Sequence, residues 1–459
     1  MHSLIPKGTC VADNGSSLTT GTSAQARHYV LVCSSCGRRE ADDGLVLDCS
    51  SAHPPALMRT EYTSRDFSPS SDREDLFRYR SWLPVVRTQA NVGRTAVYRS
   101  KGLGKVLGLP NLWIAFSGYW PERGAILQTA TFKEFEAYTV LCRLPERQVM
   151  LTVASSGNTG AAFAWACSQR RVPCLVIVPG QGLRRLKFRA ALDPCVKLVV
   201  IDDGDYPDAI GLAAAISRIP PFQAEGGVKN VGRRDGLATV LLSAFEEMGC
   251  LPSHYFQAVG SGTGAIAVLE AAKRVRSCRT GATTSLPRLM LCQNLPFTPI
   301  YDAWQTGLRS LDGEQAERFR DAVNLVYADE LTNWAPPYEI PGGVYDSLVE
   351  SRGDVLAADN ASVRTAMKMF LDLEGIDIEP AVGVAVACLR EAVTRTEIGK
   401  DSVVLLNATG GGRLRLSQDY PLVSAQPQLR LTRKSLSQAE YAETVRRVTS
   451  LCESAVAIA

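Results

Sequence analysis

The 459-residue chain predicts an α/β fold, two doubly wound parallel-sheet lobes behind a small N-terminal module. Three observations carry that expectation. Strand-like apolar runs alternate with helix-compatible runs from Val149 to about Phe222, and again from Tyr255 to Leu406, the pattern of a parallel sheet with helices on both faces. The length exceeds what one hydrophobic core normally serves, so two lobes and an appendage are expected. Cys33, Cys36, Cys49 and His53 cluster ahead of the alternating region, as in a zinc-ribbon-like module.

Composition narrows the function classes. With 46% hydrophobic and 21% charged residues the chain suits a globular enzyme. Fifty basic and 47 acidic side chains leave a net charge of +3, which gives no electrostatic case for nucleic acid. No apolar run approaches bilayer length, so no membrane association is expected. Thirteen cysteines, several inside apolar runs (Cys167, Cys174, Cys292), suit reduced thiols and a cytoplasmic location. Residues 1–28 lack the apolar core of a signal peptide and are expected to form a disordered tail.

Residues 29–62 form the candidate module. Cys33-Ser34-Ser35-Cys36, a turn at Asp42-Asp43-Gly44, then Cys49 and His53 put four donors at the two ends of a hairpin. Such a set can close a structural zinc tetrahedron, with a metal-free remnant as the alternative. Residues 63–145 and 223–425 are assigned to a large lobe, 146–222 to a small lobe, and 426–459 to a C-terminal helical segment with its helix over Ser437 to Cys452. Trp113, Phe116, Tyr119 and Trp120 read as core. A helix is expected between Pro179-Gly180 and the strand at Val196, and loops with short helices over Gly313 to Asp359.

The chemistry centres on Lys133. It opens a helix-compatible run to Leu144, and an amine held at a helix N-terminus among apolar neighbours can lose its proton near neutral pH and condense with an aldehyde. An ordinary surface lysine is the plainer alternative. Nearby, Val149 to Val153 reads as a strand, Ala154 to Asn158 as a turn and Thr159 to Gln169 as a helix. The hydroxyls of Ser155, Ser156 and Thr159, with backbone N–H groups around Gly157, can together hold a carboxylate. Further on, strand Tyr255 to Val259, the turn Gly260-Ser261-Gly262-Thr263-Gly264 and helix Ala265 to Val275 can close around a phosphate. Taken alone, that glycine turn could equally be structural.

Three segments are decisive together: Thr131-Phe132-Lys133-Glu134-Phe135-Glu136-Ala137-Tyr138, the stretch Glu225 to Gly236, and His254 to Gly264. In them the chain resembles the fold-type II pyridoxal-phosphate enzymes, the family of threonine synthase and the β-substitution synthases, and within it the members that make cysteate. The resemblance runs from about Tyr29 to Gly412. It implies that Lys133 carries pyridoxal 5'-phosphate and serves as general base at Cα. It implies that Asn158 meets the cofactor's ring hydroxyl, that Ser155, Ser156, Gly157 and Thr159 hold the substrate carboxylate, and that Gly260, Ser261, Gly262, Thr263 and Gly264 hold the cofactor phosphate. Thr409, in the strand and turn Val403 to Gly412, falls where the family sets a hydroxyl against the pyridine nitrogen. A hydroxyl does not force that nitrogen to be protonated, which favours loss of a good β-leaving group.

The implied reaction is β-replacement, O-phospho-L-serine and sulfite giving L-cysteate and phosphate. Two anions then pass through one pocket, and Lys229, Asn230, Arg233 and Arg234 are the candidates to meet them. Arg184, Arg185 and Lys187 read more readily as a solvated charged face. Lys133 is followed by Glu134-Phe135-Glu136, which departs from the usual threonine synthase lysine motif. Threonine formation from O-phosphohomoserine, another nucleophile, or a non-catalytic binding protein on a retired scaffold are the alternatives. The expected partners are a small amino-acid substrate, an anionic nucleophile and further copies of the chain in a homo-oligomer.

Overall fold

A computed structural model describes residues 27–146, 149–278, 285–311, 319 and 322–458. The expected N-terminal tail lies, up to residue 26, outside the described residues. The module opens with β1 (Tyr29–Cys33), β2 (Arg39–Glu40) and β3 (Met58–Tyr62), an antiparallel sheet with β1 in the middle. Met58, Thr60 and Tyr62 are buried on one face of β3 while Arg59 on the other is exposed, the period of two that a half-covered strand requires.

The larger sheet holds β4 (Ala96–Arg99), β5 (Leu112–Phe116), β13 (His254–Ala258), β14 (Arg288–Asn294), β15 (Asp354–Ala358) and β16 (Val404–Ala408). Their order is β15-β14-β13-β16-β5-β4, parallel except for β4. The smaller sheet holds β8 (Met150–Ala154), β9 (Cys174–Pro179), β11 (Val196–Ile201), β12 (Phe222–Ala224) and β18 (Leu429–Leu431), all parallel in the order β12-β8-β9-β11-β18. Two short antiparallel pairs complete the strands, β6 (Tyr119–Trp120) with β7 (Ala125–Ile126) and β10 (Lys187–Phe188) with β17 (Val423–Ser424).

Short α1 (Gly102–Leu107) joins β4 to β5. Between the two sheets lie α2 (Lys133–Arg143), α3 (Asn158–Arg170), α5 (Val231–Met248) and α6 (Thr263–Ser277). Their apolar residues share one core with Leu198 and Val200 of β11 and with Tyr255 and Leu405 of the larger sheet. The alternate residues Val199 and Ile201 face the other way, onto α4 (Tyr206–Ile216) and α12 (Tyr441–Ile458). On the far side of the larger sheet, Phe256 and Leu406 pack with α9 (Asn360–Glu374) and α10 (Pro380–Thr394). Both sheets are covered on two faces, which is why β9 and β11 are buried along their whole length. The remaining described helices are α7 (Pro299–Gln305), α8 (Val344–Ser351) and α11 (Arg413–Asp419). None of the described helices is long and apolar enough to cross a membrane.

Three expectations change. The helix expected after Pro179 is instead a 3₁₀ turn, Gly180–Arg185, followed by β10. That turn is pressed onto the end of β11, where a Cβ at Gly180 would collide with the Asp202 carbonyl. The region read as loops and short helices, Gly313 to Asp359, also contains the edge strand β15. Beyond Leu416, β18 adds a fifth strand to the smaller sheet, and α12 seals its outer face with Val448, Cys452 and Ala455.

Candidate active site

Both parallel sheets end at one crevice, the place where open α/β sheets bind ligands. β8 runs into Ser155–Gly157 and α3, β13 into Gly260–Gly262 and α6, and β16 into Thr409–Gly412 and α11. The Thr409 end is pinned to the segment just before Lys133. The Phe132 N–H donates to the Thr409 carbonyl at 2.9 Å, and the Gly411 N–H to the Ala130 carbonyl at 3.0 Å. Ala130 is buried and left-handed, with φ 56°, a conformation costly for a residue with a Cβ and held by these bonds. Each of the three glycines is enforced by backbone, since a Cβ at Gly410 would stand 3.0 Å from the Ala130 carbonyl oxygen, and Cβ atoms at Gly411 and Gly412 would collide with the carbonyls of Asp377 and Tyr119.

Lys133 is the first residue of α2, its side chain 20% exposed. Its Nζ lies 3.3 Å from Glu136 Oε2. Burial draws the amine's pKa below the ordinary lysine value, Arg233 adds to the effect, and the Glu136 carboxylate opposes it. Glu136 is itself fully buried and accepts from the Thr159 hydroxyl at 2.8 Å and from Arg233 Nη1 at 3.0 Å. Arg233 binds Glu225 with its remaining donors. One buried carboxylate therefore ties Lys133 to α3 and α5. Glu136 sits one helical turn after Lys133, so i, i+3 spacing could have found it.

The turn at the start of α3 is set by its own side chain. Ser155 is buried, and its Oγ accepts from the N–H groups of Gly157 at 3.0 Å and Gly160 at 2.7 Å. Ser156 is half-buried. The Asn158 amide donates to Glu379 Oε2 at 3.0 Å and accepts from Arg413 at 3.4 Å. At the other turn, Gly262 is left-handed with φ 73°, and the Ser261 and Thr263 hydroxyls stand 2.8 Å apart. A Cβ at Gly260 would come within 2.8 Å of the Leu331 carbonyl oxygen, and one at Gly264 within 2.7 Å of Gln257 Nε2. Beneath this edge, Asn407 of β16 donates to Tyr255 at 2.7 Å and to Gln257 at 3.0 Å, both on β13. That buried polar contact holds the two strand ends in register, and nothing in the local sequence pattern marks it.

The remaining candidates lie toward the module. Lys229 pairs with Asp48 at 2.7 Å. Asn230 is buried and caps α5, its Oδ1 taking the Gly232 N–H and Arg143 Nη1 and its Nδ2 donating to the Glu225 carbonyl. Arg234 is fully buried against the carbonyls of Met58 and Val228. Arg185 is not at a solvated face: its side chain is 12% exposed and lies along Gly157.

In the module the ligand atoms of Cys33, Cys36, Cys49 and His53 all lie within 4.8 Å of one another. Backbone N–H groups of Ser35 and Ser51 point at the sulfurs of Cys33 and Cys49 at 3.4 Å. His53 Nδ1 is 2.6 Å from the Pro54 carbonyl, which directs Nε2 toward the cysteines and fixes the tautomer a metal requires. The donor set fits a structural site with four closed positions.

A profile of the family described as pyridoxal-phosphate dependent enzyme matches residues 88–410. Among curated proteins, a cysteate synthase of Methanosphaerula palustris is 44% identical over 400 residues, covering 86% of this chain and 92% of its own length. One of Methanosarcina acetivorans is 40% identical over 405 residues, covering 87% and 96%. Among solved structures, a pyridoxal 5'-phosphate-dependent aspartate racemase aligns with TM-score 0.52 at 17% identity, over 69% of this chain and 90% of its own. Maize serine racemase aligns with TM-score 0.51 at 17% identity, over 71% and 93%. At that identity the two structures show the shared fold alone.

Proposed function

The chain belongs to the cysteate synthases within the pyridoxal-phosphate-dependent enzyme family, and we propose that it exchanges the phosphate of O-phospho-L-serine for sulfite to give L-cysteate. The observation that carries this reading is the placement of Lys133. Its amine is largely buried, its pKa is drawn down, and it stands at the meeting point of the β16 end, the Ser155–Thr159 turn and the Arg233 ion-pair network.

The residues present fit the cofactor. An amine at the head of α2, a left-handed glycine turn with two hydroxyls at the head of α6, an amide at Asn158 and a hydroxyl at Thr409 lie on one edge of the sheets. A further hydroxyl, Thr131 Oγ1, is buried there with no partner. In this reading Lys133 holds the cofactor, residues Gly260 to Gly264 its phosphate, Asn158 its ring hydroxyl and Thr409 its ring nitrogen. When bound, pyridoxal phosphate withdraws electrons from the substrate Cα, so the Cα proton becomes acidic. Lys133 takes that proton and later returns it, and Glu136 at 3.3 Å can stabilise the ammonium that forms in between. Ser155 shapes the turn before α3 by taking the Gly157 and Gly160 N–H groups on its Oγ, and with Ser156, Gly157 and Thr159 it forms the seat assigned to the substrate carboxylate. Arg233, bound to Glu136 and Glu225, places positive charge beside the path of the substrate's anions, with Lys229 and Asn230 fixing the Glu225–Asn230 turn that leads to it. Cys33, Cys36, Cys49 and His53 would hold zinc with no vacant position, a structural role. The cysteines among the described residues are free thiols, which supports a cytoplasmic enzyme, here read as a homo-oligomer.

The test is a paired incubation with products identified by mass. O-phospho-L-serine plus sulfite is expected to yield cysteate and phosphate, and O-phosphohomoserine to yield no threonine. Threonine from the second mixture with no cysteate from the first would replace this reading by the threonine synthase one.

A further inference from the structure

Between the Ser155–Thr159 turn and the Gly260–Gly264 turn lies a cationic group with no place in the chemistry above. The 3₁₀ turn that follows β9 sends the aliphatic stem of Arg185 across Gly157, close enough that a Cβ there would stand 2.6 Å from Arg185 Cδ and 3.4 Å from Nη1. The guanidinium reaches Asp329, with Nη1 3.4 Å from Oδ2, and lies 3.1 Å from Glu330 Oε2. Those two acids belong to a second 3₁₀ turn, Asp329–Leu331, whose Leu331 carbonyl approaches Gly260. Arg185 thus spans the crevice from one turn to the other.

Its present partners are carboxylates, which are stand-ins in chemical terms for an oxyanion. The β-replacement brings two oxyanions to the same carbon, the departing phosphate and the arriving sulfite. We propose that Arg185 is the specificity-determining residue that receives the oxyanion at the substrate Cβ, and that Asp329 and Glu330 hold its guanidinium ready until that anion displaces Glu330. This rests on the assignment of an anionic β-substituent made above.

Glu330 is suited to yield. Its side chain is 7% exposed, and burial followed by the neighbouring Glu379 carboxylate pushes its pKa up to about 7, against the pull of Arg185. The charged groups that face it are Arg185 from the first turn, Asp329 beside it and Glu379 before α10; its other oxygen takes the Ala381 N–H at 2.8 Å. Glu379 is in turn held by Arg413 and Asn158, and Asp329 by Arg184. When the anion binds, Glu330 takes a proton from solvent and leaves the guanidinium. Below about pH 7 Glu330 is neutral and Arg185 is free for the anion, whereas above it the carboxylate competes, so oxyanion affinity falls as pH rises.

The experiment uses the holoenzyme with three variants. Arg185→Gln should raise KM for O-phospho-L-serine and for sulfite at least about tenfold, as expected for loss of a charge-assisted hydrogen bond. It should leave the cofactor absorption band, and the change in that band on adding L-serine, as they are in the unaltered protein. Arg185→Lys should recover part of the loss. Glu330→Gln removes the competing charge, so its KM for sulfite should vary less between pH 6 and 8, the titration of sulfite itself being common to both proteins. An Arg185→Gln protein whose phosphoserine and sulfite KM values are unchanged, or whose response to L-serine is lost in equal measure, overturns the proposal. Should that variant fail to fold, an unaltered pH profile in Glu330→Gln overturns it. Failure of the unaltered enzyme to respond to phosphoserine while responding to L-serine would instead overturn the substrate assignment.

Discussion

At the last residue of α2 the guanidinium of Arg143 is 1% exposed, bound to both oxygens of Asp42, to Asn230 Oδ1 and to the Val46 carbonyl at 2.7 to 2.9 Å. At the first residue of the same helix the amine of Lys133 is 20% exposed, reaches one carboxylate at 3.3 Å and lies 5.0 Å from the centre of the Phe132 ring. The two ends of one 11-residue helix thus carry a sealed charge and one with bonding capacity to spare. The Asp42 and Val46 partners come from the cysteine-bearing module. Its loop also sets Leu47 against Gly226 and Asp48 against Lys229, on the turn that leads to Arg233. One end of the helix is clamped and the other is left with a single carboxylate partner.

Replacing Lys133 by Ala should have the largest effect, abolishing turnover by several orders of magnitude and removing the lysine-bound cofactor band. The melting temperature should move little, because that end contributes chemistry more than stability. A persistent band would remove Lys133 from the mechanism and dissolve the contrast between the two ends.

Arg143→Met attacks the clamped end and should lower stability by about 3–5 kcal/mol, the cost of leaving a buried carboxylate unpaired. The urea midpoint would report it. At Asp42, burial raises the pKa, but Arg143 and the hydrogen bonds from Tyr29 and Gly44 outweigh it, and the net shift is downward. A carboxylate with a lowered pKa stabilises fully above its unfolded value and loses that contribution as the pH drops through the folded value. The cost of the substitution should therefore be complete at neutral pH and shrink in acid. A shift below 1 kcal/mol at pH 7 would mean that α2 is held by packing alone.

Stripping metal from the module should have the smallest of the three effects, since β1 keeps its pairing with β3 without it. Zinc is expected at one equivalent per chain, and its removal should lower the melting temperature and loosen the cofactor through the Asp42 to Asp48 loop. Cys49→Ser binding zinc as tightly as the unaltered chain would exclude the four-donor site.

The strand–turn–helix units were legible because each is written within a few residues: an apolar run, a glycine or hydroxyl break, then small residues at helical spacing. The start of α2 at Lys133 and the strand that opens near Tyr255 are read directly from such runs. The 3₁₀ turn at Gly180–Arg185 was not, because its conformation is imposed by the Asp202 carbonyl, which comes from another strand end. Arg185 read as part of a solvated charge run with Arg184 and Lys187, and only the fold lays it along Gly157. Strand β18 escaped notice for a similar reason, being three residues long and defined only by its pairing to β11.

Local spacing in the chain determined the element types, the lysine at the head of its helix and the polar turns flanking it, since backbone sterics and hydrophobic period act over fewer than ten residues or so. Tertiary structure alone decided which charges face one another. Arg185 meets Glu330 across 145 residues and Asn158 meets Glu379 across 221. In a buried crevice such neighbours interact strongly through short-range electrostatics in a low-dielectric surrounding, and no local pattern encodes them.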